Sequence, residues 1–148
     1  MSLLQRLDQD LKEAMVSKNA QRTSVIRFLK SALKYAAIDK KVETLSDADA
    51  QQVIQKQIKQ RRESIQQFTQ GGRPELAEKE QAEMRILESY LPAQLSDAEL
   101  QKLVEAEIKA AGAVSKKDFG RMMKSLGEKL QGRADSKRLS EALGKILQ

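Results

Sequence analysis

Ile54-Gln55-Lys56-Gln57-Ile58-Lys59-Gln60-Arg61-Arg62-Glu63-Ser64-Ile65-Gln66-Gln67-Phe68-Thr69-Gln70-Gly71-Gly72-Arg73-Pro74 is the stretch that decides the fold. Ile54, Ile58, Arg61, Ile65 and Phe68 recur at alternating steps of four and three. That spacing is close to a heptad seam and predicts a long helix with one face turned to a partner. Lys56, Lys59 and Arg62 fall on its other face. The double glycine stops the helix, and Pro74 suits the first turn of the next one. So short a connection predicts an antiparallel pair. The second helix of the pair carries Leu76, Met84, Leu87 and Leu91 as its apolar positions. It is acidic at its start, where the helix dipole favours negative charge. Glu75, Glu78, Glu80, Glu83 and Glu88 are expected to form a solvated acidic face that pairs with the preceding helix.

Outward from this pair, the same period recurs. A helix after Ser2 aligns Leu4, Leu7, Leu11 and Met15 and ends near Asn19, a candidate left-handed stop. The next, from about Arg22 to Asp39, carries Val25, Leu29, Ala32, Leu33 and Ala36, with Arg27, Lys30 and Lys34 as a basic ridge beside that stripe. Ser46 opens the long helix, with Asp49 at the reciprocal capping position. Tyr90-Leu91-Pro92 is the clearest break, because proline disfavours helix at the residue before it. Beyond it, Ser96-Asp97-Ala98-Glu99 reads as a capping box. The helix it opens has Leu100, Leu103, Val104 and Ile108 as its core face and ends at Gly112. Ser115 to Asp118 opens a sixth helix carrying Phe119, Met122, Met123, Leu126 and Leu130, stopped by Gly132. A seventh begins near Asp135 and buries Leu139, Leu143, Ile146 and Leu147. No segment alternates over enough residues to argue a strand. The expectation is an all-α chain of two units. Residues 1–92 form an N-terminal helical domain of about four helices, and residues 93–148 a small three-helix tail.

Composition narrows the chemistry. The 148 residues contain no cysteine and no histidine, which excludes disulfides, Cys/His zinc sites, thiol catalysis and any triad with an imidazole base. There is no Walker-type phosphate loop and no Gly-x-Gly-x-x-Gly. Ser31-Ala32-Leu33-Lys34 has the spacing of a Ser-x-x-Lys pair but lies inside an amphipathic helix. No catalytic constellation emerges, and no cofactor or metal is expected. No apolar run approaches the roughly 20 residues of a membrane span, the first segment does not read as a signal peptide, and a cytoplasmic protein without a membrane partner is expected.

The net charge is +6, divided as +3 before and +3 after residue 92. Between Lys116 and Lys145 the local excess reaches +5, which raises affinity for polyanions. Against this stands a basic but merely solvated surface. Aromatic residues make up 3% and tryptophan is absent. Phe28, Phe68 and Phe119 each sit on an apolar stripe, so they are expected in cores rather than on a base-stacking platform of the RRM or OB type. Any nucleic acid would then be held by phosphates and shape, a mode suited to structured RNA. Gly132-Arg133-Ala134-Asp135 combines several cues. Gly132 can adopt positive φ, Asp135 can cap the last helix, and Arg133 is left at an exposed corner where a phosphate could sit. The alternative there is a plain connector with an incidental arginine. Candidate nucleic-acid contacts are Arg133, Lys137 and Lys129, with Lys116, Lys117, Lys124 and Arg138 as outer members.

The ordered motifs resemble those of the GatB/YqeY family, in particular its free-standing YqeY-like proteins. They are Ser24-Val25-Ile26-Arg27-Phe28-Leu29-Lys30-Ser31-Ala32, Lys59-Gln60-Arg61-Arg62-Glu63-Ser64, Tyr90-Leu91-Pro92, Asp118-Phe119-Gly120 and Gly132-Arg133-Ala134-Asp135. The resemblance covers essentially the whole chain. It departs at Ser136, where a glycine often follows the last motif. It implies a larger helical unit followed by a three-helix tail, similar to the C-terminal helical and tail regions of the GatB subunit of tRNA-dependent amidotransferase, which contact tRNA. The transamidation chemistry lies in the GatB catalytic core, which this chain lacks. A label of carbon–nitrogen ligase with glutamine as amido donor would thus describe the family's complex. The leading expectation is an accessory module binding tRNA or another structured RNA. The rivals are a protein-interaction adaptor and a trans-acting amidotransferase subunit, with an amidotransferase or tRNA-related protein as partner.

Overall fold

The structure is a computed structural model and describes residues 1–112, 115–130 and 132–147. Among them are seven α-helices, one 3-10 turn and no strand: α1 (Leu3–Val16), α2 (Ala20–Asp39), α3 (Asp47–Gln70), α4 (Pro74–Glu88), α5 (Asp97–Ala111), the turn Lys116–Asp118, α6 (Phe119–Leu130) and α7 (Ser136–Ile146). The chain is all-α, as its periodicity predicts. It divides into two compact units, Met1–Leu91 and Pro92–Gln148.

The first unit is a four-helix bundle. Its core takes Leu7 from α1, Ile26 and Leu29 from α2, Ile54 from α3 and Leu87 from α4, all fully buried. Ser2 and Gln5 cap α1 reciprocally, each side chain bonding the other's backbone N–H. The α1–α2 turn differs from the sequence expectation. Lys18, not Asn19, takes the left-handed conformation, at φ 58°. Asn19 instead caps α2 by accepting from the Arg22 N–H at 3.0 Å. An asparagine side chain can satisfy a free helix N–H and lysine's cannot, so the cap decides which residue goes where.

The α3–α4 turn follows the glycine logic. Gly72 has φ 72°, and the Arg73 N–H reaches back to the Phe68 carbonyl at 2.8 Å. Pro74 occupies the first turn of α4. The antiparallel pair is cross-linked in its seam, where Arg61 donates to Glu80 at 3.1 Å and also to Glu83. All three side chains are half-buried.

Tyr90, just beyond α4, closes this bundle. It is buried, and its hydroxyl donates to the Asp10 carboxylate at 2.6 Å. The Arg6 guanidinium lies 4.8 Å from its ring centre and donates to the Ser89 carbonyl at 2.8 Å. Arg22 completes the group at 3.3 Å from Asp10. Burial, reinforced by the bond to Asp10, pushes the Tyr90 hydroxyl up to about 12. Because the folded state resists ionisation, stability from this group is intact below the ordinary tyrosine value of about 10 and is lost as pH rises from there through about 12. In a Tyr35→Phe background, tyrosinate absorbance reports Tyr90 alone. We expect its titration to fall well above the ordinary range, and denaturant unfolding to show an alkaline loss of stability that Tyr90→Phe removes.

The second unit has its own core. Leu95, Leu100, Val104 and Ile108 meet Met122, Leu126 and Leu130 of α6 and Leu139 and Leu143 of α7. Gly112, at φ 67°, terminates α5. Ser96 caps α5 by accepting from the Glu99 N–H at 3.1 Å, but the Glu99 carboxylate takes the Ser96 hydroxyl, also at 3.1 Å. The cap therefore works by its serine half.

Candidate nucleic-acid interface

The connector between α6 and α7 is built from backbone bonds. Gly132 turns the chain at φ 83°. Its carbonyl accepts from the Gln94 Nε2 at 2.7 Å, and the Arg133 carbonyl accepts from the Leu95 N–H at 2.8 Å. Ala134 is buried, and Asp135 caps α7 by accepting from the Arg138 N–H at 2.8 Å. Each residue of the motif except one thus has its side chain or turn committed to the fold. The exception is the Arg133 side chain, which is exposed and has no ion-pair partner among the described residues.

The seven predicted cations fall into distinct situations. Arg133 and Lys137 are exposed neighbours at the corner, Lys137 within the first turn of α7. Lys129 lies one turn away at the end of α6, but both oxygens of the Glu107 carboxylate accept from its ammonium at 2.7 Å. Arg138 faces inward. Its guanidinium donates to the Leu95 carbonyl and to Asp97 at 3.0 Å, so it ties the start of the unit to α7. Lys124 is exposed on α6. Lys116 and Lys117 are exposed on the 3-10 turn at the opposite end of α6, about 18 Å along the axis from the corner. Arg133 and Lys137 are thus the exposed cations of the corner itself, while Lys129, at the end of α6, is partly neutralised by Glu107. Arg138 belongs to the scaffold, and the two lysines of the turn stand apart.

The first unit supplies a feature the sequence reading missed. Phe28 does not enter the core; it is 61% exposed, and Tyr35, two turns on, is 71% exposed. The α2 core runs through Val25, Leu29 and Leu33 and takes Ile26 on one side. Phe28 projects about 100° round the helix from Leu29 and on the other side of that line. One side of a stripe can be buried, and Ile26 wins. Phe68 and Phe119 are half-buried, and Phe119 packs on the second core as expected. Phe28 instead borders a pocket of about 200 Å³ with Gln57, Gln60, Arg61, Ser64 and Glu80. Gln57 is 6% exposed and its Oε1 is buried without a hydrogen-bond partner. Such an acceptor costs about 1–3 kcal/mol. Among the described residues no cluster of acidic side chains is placed to hold a metal ion. Among the described residues no helix is long and apolar enough to cross a membrane.

A family model described as Yqey-like protein matches residues 4–147. The chain belongs to the YqeY-like family. Similar proteins bear the name "Altered inheritance of mitochondria protein 41, mitochondrial". The one from Pyrenophora tritici-repentis is 32% identical over 149 residues, covering 98% of this chain and 81% of that protein. Those from Eremothecium gossypii and Kluyveromyces lactis are 38% and 41% identical, covering 61% and 59% of this chain and 49% and 47% of their own lengths. The match thus spans about half the length of these two relatives. The names also correct the expectation of a cytoplasmic protein, because they assign the relatives to mitochondria. Composition and the lack of a long apolar run do not distinguish one aqueous compartment from another.

The two partners of Arg138 are separable by mutation. Asp97 is 95% exposed, so its ion pair is screened, whereas the Leu95 carbonyl is part-buried. Arg138→Ala is expected to destabilise the protein by about 1–3 kcal/mol, and Asp97→Ala by less than about 0.5 kcal/mol. Urea denaturation followed by circular dichroism measures both.

Proposed function

We propose that this protein is an accessory RNA-binding module that recognises tRNA, or a tRNA-like shape, through phosphate contacts at the α6–α7 corner. The observation that carries the reading is the Arg133 guanidinium, exposed on a connector whose backbone is fixed by Gln94 and Leu95. A preorganised guanidinium can grip a phosphate through two parallel hydrogen bonds. Lys137, in the first turn of α7, adds a second exposed cation at the same corner. The resemblance of the tail to the tRNA-contacting region of GatB supports the same reading. Catalysis is not part of it, and any role in amidation would be the positioning of substrate for another subunit.

A second reading, a protein-interaction adaptor, is favoured by a different observation. An apolar pocket of about 350 Å³ opens in the first unit between Leu4, Leu33, Ala37 and Leu45, with the exposed Ile38 and Val42 at its edge. Exposed apolar surface of this kind is typical of protein contacts.

Salt-dependent binding decides between the two. Replacing Arg133 and Lys137 together by Ala should leave helicity intact and weaken tRNA binding about tenfold, as expected for two partly screened charge-assisted hydrogen bonds. The plot of log affinity against log salt should flatten by roughly one unit for each phosphate that is no longer neutralised. Asp135→Ala should instead cost about 0.5–2 kcal/mol of stability by removing the α7 cap. Equal tRNA binding by the double variant and the parent across a salt series would move the adaptor reading ahead.

A further inference from the structure

The pocket beside Phe28 has a lining unlike either a core defect or an anion site. Phe28 is its one aromatic wall, and the remaining residues are two carboxamides, a hydroxyl and an ion pair: Gln57, Gln60, Ser64, Arg61 and Glu80. Arg61 is already held by Glu80 and Glu83, so one cation faces two carboxylates and the pocket has no net attraction for phosphate. An apolar side chain from a partner protein would find too little apolar wall. What fits is a flat group with an aromatic face and hydrogen-bonding edges. Phe28 offers a stacking surface, because its ring is mostly exposed. Gln57 lines the pocket through its side chain; its Oε1 is shut off from solvent, so a ligand meets the amide Nε2–H₂ donors of this carboxamide. The exposed Gln60 carboxamide presents donor and acceptor side by side, which is the pattern that reads a nucleobase edge. Stacking on an aromatic ring is independent of base identity, whereas the carboxamides give selectivity.

We infer that this pocket of the first unit binds a single unpaired nucleobase, stacked on Phe28 and hydrogen-bonded by Gln57 and Gln60. This adds a neutral, base-reading contact in a unit separate from the phosphate-gripping corner, and it rests on the RNA reading only for the polymer that carries the base. Arg27, next to Phe28 in sequence and exposed, has no carboxylate partner among the described residues. Its guanidinium donates to the Met15 Sδ at 3.7 Å and remains available to an adjoining phosphate.

Free nucleosides test the pocket without phosphate and without the tail. The full chain, labelled for NMR, is titrated with adenosine, guanosine, cytidine and uridine in turn. The expected result is a saturating shift of the Gln57 and Gln60 side-chain amide signals and of the Phe28 ring for at least one nucleoside. Phe28→Ala, at an exposed position, and Gln57→Leu, which keeps the buried volume, should each abolish it. With a short single-stranded RNA, Phe28→Ala should weaken binding about tenfold, the loss typical of one stacked base, and leave the salt slope unchanged. The Arg133 and Lys137 double variant should lower that slope and leave the nucleoside shifts intact, so failure of the corner and failure of the pocket are told apart. No shift with any nucleoside, or shifts that survive both pocket variants, would overturn the inference. So would displacement of the shifts by argininamide, which would make the pocket a receptor for a cationic side chain of a protein.

Discussion

The hydrogen bond from the Leu95 N–H to the Arg133 carbonyl holds the second unit in the form that matters. It joins the segment entering α5 to the connector leaving α6, residues far apart in sequence. Around it the Gln94 side chain fixes Gly132 and the Arg138 guanidinium returns to the Leu95 carbonyl. A three-helix unit of this size has little core to spare, and satisfied backbone groups at its seam count for as much as another buried leucine. With these bonds made, the connector is a rigid corner. Without them Arg133 would sit on a loose turn, and ordering it on binding would cost entropy that the contact would have to offset.

The first unit solves the same closing problem differently. Four amphipathic helices bury one face each, and the chain after α4 must be fixed against α1. Tyr90 does this with an apolar ring under Arg6 and a hydroxyl on Asp10. Both units are therefore tied by a side chain that is apolar along its body and polar at its tip, Tyr90 in the first and Arg138 in the second. The same unit tolerates one conspicuous departure from economy. The Gln57 acceptor is buried unmet beside an exposed phenylalanine. Local violations of packing and hydrogen-bonding rules are expected where a protein meets a ligand.

Charge divides in a way that totals conceal. The tail's excess of basic residues suggests one broad surface, yet Lys129 and Arg138 spend their charges on Glu107, Asp97 and a carbonyl. What remains at the corner is a pair, Arg133 and Lys137, while Lys116 and Lys117 stand at the far end of α6. Similar accounting applies to α2, where Lys30 pairs with Asp8 and the ridge read as continuous is interrupted. A surface of paired and unpaired cations contacts a polyanion at discrete points rather than along a stripe.

Much of this was legible in the sequence because it depends on local physics. The 3.6-residue period fixed which residues form helices, and serine, asparagine, aspartate and glycine fixed where those helices begin and end, since caps and positive φ are satisfied within a few residues. The Gly132-Arg133-Ala134-Asp135 corner could be anticipated for the same reason. The tertiary structure alone decided which of several candidate residues won a contested place. Ile26 displaced Phe28 from the core. Arg138 turned from surface cation to internal tie because Leu95 presented a carbonyl to it. Periodicity assigns a residue to a stripe, but only the neighbouring helices determine how wide a stripe they cover, and only a partner brought from a distant part of the chain determines whether a charge is spent or left for a ligand.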